Sequence, residues 1–195
     1  MTSQWKTQDK VFLITGGASG LGAEYVKIFL QLGAKQGLVS FTLKGMEHMR
    51  KDKGGAGGTI INISSIAALY KYPNLPIYCG AKMAVLHFGQ TLSVPPFFDS
   101  TGVRVLTICF GPTLTPLMDN LTERSVDREF GEAYLKSVID LSAIQRIESA
   151  VTAFVKMFKE GEPGSIWLSV KNKPGMDITS DINKTFDEFK MKWLA

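Results

Sequence analysis

The chain has 195 residues, of which 45% are hydrophobic and 21% are charged, a balance typical of one globular domain with a substantial core. Its net charge of +4 comes from basic residues that are spread along the chain rather than massed, which argues against a nucleic-acid-binding surface. With two cysteines, no run of about 18 apolar residues and a polar N-terminal segment, we expect no disulfide framework, membrane span or secretory signal, and a cytoplasmic location.

The first predicted unit is a strand, a glycine-rich turn and a helix. Residues 11–15 form an apolar run that predicts a buried strand, and apolar residues at helical spacing then continue to a stop signal at Gly33. Between them, Gly16 permits a tight turn, Gly20 lets the backbone approach a phosphate, and Gly22 lets the helix pack closely on the strand. The predicted cofactor contacts of this turn are Gly16, Ser19, Gly20, Leu21 and Gly22. No Lys-Ser or Lys-Thr pair follows the glycines, so the pattern favours a dinucleotide site over a nucleoside triphosphate site.

The middle of the chain alternates between helical and strand patterns. Residues 36–50 fit either a strand or a helix, and we favour a helix that ends at the basic residues after Met49. Residues 59–63 are rich in β-branched side chains and predict a second buried strand. Pro76 opens a predicted helix that runs through Leu92, and a third strand follows over residues 103–108.

The C-terminal part predicts one more strand between two helices. Residues 114–143 predict irregular structure or short helices, and an amphipathic helix follows over about 145–159. Residues 166–170 predict the last strand, and the tail 181–195 predicts an amphipathic helix that docks on the domain or on a twin subunit. Strands that alternate with helices indicate a single α/β domain over the whole chain, with a Rossmann-like, doubly wound parallel sheet and helices on both faces.

A tyrosine and a lysine on the predicted helix suggest an acid/base pair. Tyr78 and Lys82 lie one helical turn apart, and Ser65 ends the strand that precedes their helix. An alcohol must lose its hydroxyl proton as a hydride leaves its carbon, and a free phenol titrates at about 10, too high for a good base at neutral pH. A nearby ammonium favours the phenolate, while a serine hydroxyl can bind the substrate oxygen. A Tyr-x-x-x-Lys pair alone is common on surface helices, but together with a dinucleotide turn it indicates hydride transfer between a nicotinamide cofactor and an alcohol or carbonyl.

Four motifs in this chain occur in the order found in one family of enzymes. They are Thr15-Gly16-x-x-x-Gly20-x-Gly22, Asn62-Ile63-Ser64-Ser65, Tyr78-x-x-x-Lys82 and Cys109-Phe110-Gly111-Pro112-Thr113-Leu114-Thr115. On these motifs, most of the chain resembles a classical short-chain dehydrogenase/reductase. Within that family it is most similar to 15-hydroxyprostaglandin dehydrogenase-like and insect alcohol dehydrogenase-like members.

The resemblance implies a role for each residue of the predicted site. Ser65 would position the substrate, Tyr78 would act as the acid/base, and Lys82 would tune Tyr78 while holding the nicotinamide ribose. Thr113 and Thr115 would reach the carboxamide and the phosphates. The implied cofactor contacts beyond the glycine turn are Tyr78, Lys82, Gly111, Thr113 and Thr115. The family also implies NAD as cofactor, an apolar secondary alcohol or its carbonyl as substrate, and a homodimer or homotetramer.

Two smaller features concern ligands. Ser19, rather than a basic residue that could hold a 2′-phosphate, precedes the second glycine of the turn, which favours NAD over NADP. His48 and His87 have no partner at metal-ligand spacing, so no metal site is expected.

The sequence departs from the family between the glycine turn and the Ser65 strand. No acid occurs between Glu24 and Glu47, although dinucleotide-binding folds place there the residue that binds the adenosine ribose. About 60 residues, or two βα units, are missing after about Lys35, which predicts an internal deletion and a shortened sheet with the first strand beside the Ser65 strand. Phe110 also stands where the family usually has proline. We therefore keep a second hypothesis, a catalytically impaired member that acts as a binding or storage protein.

Overall fold

The computed structural model describes residues 12–15, 37–118, 122, 125–138 and 141–193, and five strands in them form one sheet. The strands are β1 (Phe12–Thr15), β2 (Gly58–Ser65), β3 (Val103–Phe110), β4 (Ile166–Ser169) and β5 (Met176–Asp177). They lie side by side in chain order, with β1 to β4 parallel and β5 antiparallel to β4.

The carboxyl ends of β2, β3 and β4 meet at one edge of the sheet. Ser65 is paired with Phe110, and Phe110 is paired with Ser169. The chain then continues the ladder by one residue, because Gly111 donates its N–H to Ser169 O at 2.8 Å. Ligand sites of parallel α/β sheets form just beyond this edge, so the register places Ser65 and the predicted cofactor loop side by side.

Helices cover both faces of the sheet, so β3 is buried at consecutive positions although successive side chains of a strand point to opposite faces. The helices of the described residues are α1 (Gly37–Met49), α2 (Pro76–Thr91), α3 (Pro95–Thr101), α4 (Arg128–Val138), α5 (Ile147–Glu160) and α6 (Thr179–Trp193). On one face, Met46 and Met49 of α1 cluster with Ile60. On the other face, Met157 of α5 clusters with Ile61, the next residue along β2. The predicted Rossmann-like α/β fold is confirmed.

A glycine sets α2 unusually close to the sheet. Pro76 occupies the first turn of this helix, where its missing N–H costs nothing. Near the other end, a Cβ on Gly89 would lie 2.5 Å from Thr107 Oγ1 and 3.2 Å from Asn62 Nδ2. The residue type at position 89 therefore fixes how closely the helix that carries Tyr78 approaches β2 and β3.

A buried arginine ties the start of β3 to the end of α5. The Arg104 side chain is 0% exposed and donates to Gly161 O at 2.6 Å, to Phe158 O at 3.0 Å and to Thr59 Oγ1 at 3.1 Å. Burial lowers the pKa of Arg104 to about 10, which still leaves the guanidinium protonated at neutral pH. The positive charge thus binds the free carbonyls at the C-terminus of α5, the end at which the helix dipole is negative.

The structure confirms the strands predicted at 11–15, 59–63, 103–108 and 166–170, and the helical interpretation of residues 36–50. The first strand lies beside the Ser65 strand, as expected for a shortened sheet.

Other elements are untested or go beyond the prediction. The predicted helix after the glycine turn falls outside the described residues. The stretch 114–143 contains α4, an 11-residue helix, in addition to short 3₁₀ turns. Neither α3 nor β5 was predicted. A double proline opens α3, and the two residues of β5 are extended because they pair with β4.

The C-terminal helix α6 packs against α2. Gln90 Nε2 donates to Asn183 Oδ1 at 2.9 Å, and the rings of His87 and Phe186 lie 5.7 Å apart. Ile182, one turn earlier, packs on a buried cluster of the sheet. The first half of α6 is thereby fixed to the helix that carries the predicted catalytic pair.

The described residues include neither a membrane-spanning helix nor a cluster of metal ligands. No helix among them is long and apolar enough to cross a membrane. Nor do three or more histidine, cysteine or acidic side chains gather in this part of the chain at a place that could hold a metal ion.

Candidate active site

Lys82 links α2 to the carboxyl end of β2. Its ammonium donates a hydrogen bond to Ile63 O at 3.1 Å, and Nζ lies 5.6 Å from the centroid of the Tyr78 ring. The i, i+4 spacing puts both side chains on one side of the helix. Burial lowers the pKa of Lys82, and the nearby Cys109 opposes this shift only in part. The site thus holds a desolvated cation beside a phenol.

The two adjacent serines of β2 have different surroundings. Ser64 is 3% exposed, and its hydroxyl donates to Lys82 O at 2.9 Å, under α2. Ser65 is half-buried, and its Oγ accepts a hydrogen bond from Ala67 N at 3.1 Å, which caps the short 3₁₀ turn that follows the strand. Ser64 is therefore part of the helix–sheet packing, whereas Ser65 stands at the open end of the strand.

Beneath this edge lies a buried thiol. Cys109 is 0% exposed, and burial raises its pKa to about 11, against smaller opposing effects of the Ser64 hydrogen bond and of Lys82. At neutral pH it is a thiol and not a thiolate, so we assign it to packing and not to nucleophilic chemistry.

Tyr78 is 38% exposed and belongs to a group of tyrosines. The rings of Tyr70 and Tyr72 lie 5.0 Å apart. Burial raises the pKa of Tyr72, and the phenols of Tyr134, Tyr70 and Tyr78 act in the same direction. Since Tyr134 comes from α4, this helix lies near the tyrosines of the loop before α2.

Asn74 connects the loop before α2 to the segment that leads into α4. It is 1% exposed, its backbone O accepts from Val126 N at 3.2 Å, and its Nδ2 donates to Ser125 Oγ at 3.4 Å. These hydrogen bonds hold the two segments together.

The loop after β3 is fixed by hydrogen bonds on its inner side. Thr113 Oγ1 donates to Gly111 O at 3.0 Å, and Thr115 Oγ1 donates to Thr113 O at 3.2 Å. The buried Gln145 receives Leu114 N–H on its backbone O at 2.9 Å, and its own N–H donates to Pro112 O at 2.8 Å. The loop is thus paired like a short strand with the residue just before α5.

The sequence-predicted site residues fall into two groups. Outside the described residues lie Gly16, Ser19, Gly20, Leu21 and Gly22. At the carboxyl edge of the sheet, or on α2 next to it, lie Ser65, Tyr78, Lys82, Gly111, Thr113 and Thr115.

Four residues of the site were not singled out from the sequence. Tyr72 could have been noted as one of two tyrosines shortly before the helix-opening proline. Asn74, Tyr134 and Gln145 had no such signal, because their partners are distant in the chain.

Residues 35–126 match the family described as short chain dehydrogenase. The matched stretch begins where the sequence predicts an internal junction and includes Ser65, Tyr78, Lys82 and the loop after β3. Together with the Rossmann-like sheet, this match and the dehydrogenase relatives support assignment of the chain to the short-chain dehydrogenase/reductase family.

Individual relatives agree with this assignment. Alcohol dehydrogenase 1 of Ceratitis cosyra is 32% identical over 136 residues, which are 68% of this chain and 51% of the relative. The 15-hydroxyprostaglandin dehydrogenase [NAD(+)] of Rattus norvegicus is 37% identical over 84 residues, 43% of this chain and 32% of that protein. The alcohol dehydrogenase-related 31 kDa protein of Drosophila lebanonensis is 29% identical over 147 residues, 73% of this chain and 51% of the relative. The matches to the two insect proteins thus span about half the length of each relative.

Proposed function

We propose that the chain is an oxidoreductase that transfers a hydride between NAD and the CH–OH group of an apolar secondary alcohol, or the corresponding carbonyl. The observation that carries this proposal is the Lys82 ammonium, which lies against both Ile63 O and the Tyr78 ring. A cation fixed beside a phenol favours the phenolate, the form that removes a proton from an alcohol. Burying an ammonium costs free energy that a packing role alone would not require.

The described half of the site fits the nicotinamide end of NAD. Bound NAD would supply the hydride acceptor. Lys82 has N–H donors beyond the one given to Ile63 O and would bind the ribose hydroxyls. Thr113 and Thr115 offer hydroxyls for the carboxamide and the phosphates, on a loop that Gly111 brings close to Val170. The rat relative is a 15-hydroxyprostaglandin dehydrogenase [NAD(+)], which supports NAD for this chain as well.

Each catalytic residue has one task in this proposal. The Lys82 ammonium stabilises the phenolate form of Tyr78, and this phenolate takes the hydroxyl proton of the alcohol. Because Ala67 N–H occupies a lone pair of Ser65 Oγ, the Ser65 hydroxyl can direct its own hydrogen to the substrate oxygen.

Aromatic residues in the neighbourhood of Tyr78 support an apolar substrate. Tyr72 and Tyr134 come from two different segments, and Phe130 stacks beside Tyr134 at 6.0 Å while remaining 47% exposed. Exposed aromatic faces beside a proton-transfer site favour burial of an apolar group next to the reacting carbon.

A homodimer or homotetramer is part of the proposal. Exposed apolar side chains support it on α1, where Phe41 is 54% exposed, and on α2, where Ile77 is 70% exposed.

The test is the absorbance of reduced nicotinamide during incubation with NAD and secondary alcohols. We expect turnover by the unchanged chain and a loss of about 100-fold or more in Tyr78→Phe, because general acid–base catalysis contributes about this much. Tyr70→Phe is the matched control, since it removes a phenol from a neighbouring and more exposed ring. Undiminished turnover by Tyr78→Phe would show that another group is the base.

A second candidate is a catalytically impaired member that binds a ligand without turning it over. The sheet order favours it: the described strands follow one another in chain order, whereas dinucleotides bind where the strand order reverses. Binding of an apolar alcohol without any reduction of NAD would support this candidate over the first.

A further inference from the structure

Gln145 is a fully buried amide behind the predicted cofactor loop. Its side chain is 0% exposed and lies among three polar groups. Gln145 Nε2 is 3.0 Å from Ser169 O and 3.1 Å from Thr113 Oγ1, and Gln145 Oε1 is 3.0 Å from Ser169 Oγ. Gln145 therefore touches both the end of β4 and the loop after β3.

The neighbours of Gln145 determine which way its amide points. Ser169 O is a backbone carbonyl and can only accept a hydrogen bond, so the atom facing it must be the NH₂ group. Gln145 Oε1 then faces the Ser169 hydroxyl, which donates to it. The second hydrogen of the same NH₂ group is left to point at Thr113 Oγ1.

This orientation in turn fixes the Thr113 hydroxyl. Thr113 Oγ1 receives a hydrogen from Gln145, and its own hydrogen goes to Gly111 O at 3.0 Å. A hydroxyl has one hydrogen and two lone pairs. With its hydrogen and one lone pair already in hydrogen bonds, Thr113 Oγ1 has one lone pair available for a ligand. On the half-exposed side of the loop, the Thr113 hydroxyl therefore accepts a hydrogen bond from a ligand and does not donate one.

We propose that Gln145 is a positioning residue for the dinucleotide, because it holds Thr113 as a hydrogen-bond acceptor for the amino group of the nicotinamide carboxamide. This inference rests on the proposed function, in which Thr113 faces the carboxamide. The carboxamide amino group only donates, so the fixed lone pair of Thr113 matches it. Without Gln145, only the contact with Gly111 O holds the Thr113 hydrogen, so the hydroxyl is less restricted and its selectivity for a donor weakens.

The experiment compares the binding of two dinucleotides to the full chain. NADH and its 3-acetylpyridine analogue, in which a methyl group replaces the carboxamide amino group, are titrated into the millimolar range and followed by fluorescence or calorimetry. We expect the unchanged chain to prefer NADH by about fivefold to tenfold, the effect of one hydrogen bond. Gln145→Met, which keeps the length of the side chain but removes the amide, reduces this preference, while the contact with Gly111 O retains part of it.

Two further variants separate positioning from structural support. Thr113→Val, on the half-exposed loop, removes the acceptor itself and loses the same preference, and combining it with Gln145→Met causes no further loss. Ser169→Ala removes the hydroxyl that donates to Gln145 Oε1 but leaves Ser169 O to orient the NH₂ group, so the preference for NADH persists. Unfolding midpoints of the ligand-free variants show how far each change affects folding.

The possible outcomes distinguish this inference from the proposed function. Equal loss of affinity for both dinucleotides in Gln145→Met, or an unchanged chain that binds both equally, overturns the inference alone. If Gln145→Met does not fold, Thr113→Val decides: retention of the NADH preference overturns the inference, and its loss supports it. If the unchanged chain binds neither dinucleotide, the proposed function fails and the inference fails with it.

Discussion

At the scale of single residues, Lys82 carries a charge where burial opposes it. Its ammonium is largely removed from water, donates a hydrogen bond to one backbone carbonyl and lies near an aromatic ring. Burial accordingly lowers the pKa of Lys82. The same charge is the group that would make Tyr78 a useful base. The proposed function therefore conflicts locally with stability, as is common where a side chain is retained for chemistry.

This conflict has a measurable dependence on pH. Between the lowered pKa of folded Lys82 and its ordinary value of 10.5, the unfolded chain binds the proton more tightly than the folded one. Folding stability due to Lys82 therefore rises with pH through this window. We expect the free energy of unfolding of the unchanged chain to increase, relative to that of Lys82→Met, as the pH rises from neutral toward 10.5.

Chemical denaturation at a series of pH values measures this difference. Lys44→Met removes a lysine charge from the exposed side of α1 and corrects for the change in net charge. A difference that does not vary with pH, relative to this control, would mean that burial leaves Lys82 unperturbed. Lys82→Met should also lose about 100-fold or more in turnover, because Tyr78 then lacks its cation.

At the scale of elements, α2 is the part whose placement determines the geometry of the site. It carries Tyr78 and Lys82, and its contact with the sheet depends on the missing side chain at Gly89. Its other internal glycine, Gly80, is exposed, and a Cβ added there would meet nothing within 4 Å. The two glycines thus offer the same substitution in a crowded and in an open environment.

We expect Gly89→Ala to destabilise the protein by about 1–3 kcal/mol, as overpacking does, and to reduce turnover by displacing α2 from β2. Gly80→Ala, the matched control, should stabilise it by about 0.5–1 kcal/mol through helix propensity. Thermal or denaturant unfolding measures both changes. If Gly89→Ala were as stable as Gly80→Ala, the close approach at Thr107 would have no energetic consequence.

The elements also show what a sequence can and cannot predict. β3 was predicted because it is a short, mostly apolar run, and α5 because its apolar residues repeat at the period of a helix. The two-residue strand β5 depends on pairing with β4, a property of the folded chain and not of its own residues. The same holds for the site. Tyr78 and Lys82 could be predicted from their local spacing. The proposed positioning role of Gln145 depends on its contacts with Thr113 and Ser169, both more than 20 positions away.

At the scale of the whole molecule, the order of the strands bears on cofactor binding. In a doubly wound sheet the strand order reverses beside the first strand, and the dinucleotide lies in the crevice at that reversal. Here the described strands lie side by side in chain order, from β1 to β5, without a reversal of that order. β1 has one described neighbour, β2. In the proposed function, the described strands therefore build the edge that would face the nicotinamide but provide no wall for the adenosine half. The missing acid between Glu24 and Glu47 indicates the same loss.

We expect NAD to stabilise this chain only slightly. If the adenosine half contributes little, a dissociation constant near 1 mM at 1 mM NAD corresponds to about 0.4 kcal/mol. For a chain of this size that amount raises the unfolding midpoint by about 1–2 °C. Differential scanning calorimetry measures the shift, with nicotinamide mononucleotide and adenosine monophosphate as the two half-ligands. The mononucleotide should raise the midpoint almost as much as NAD, and adenosine monophosphate should not raise it. A rise of about 6 °C or more with NAD would correspond to binding in the range of 10 μM, and it would mean that residues beyond the described strands rebuild the adenosine pocket.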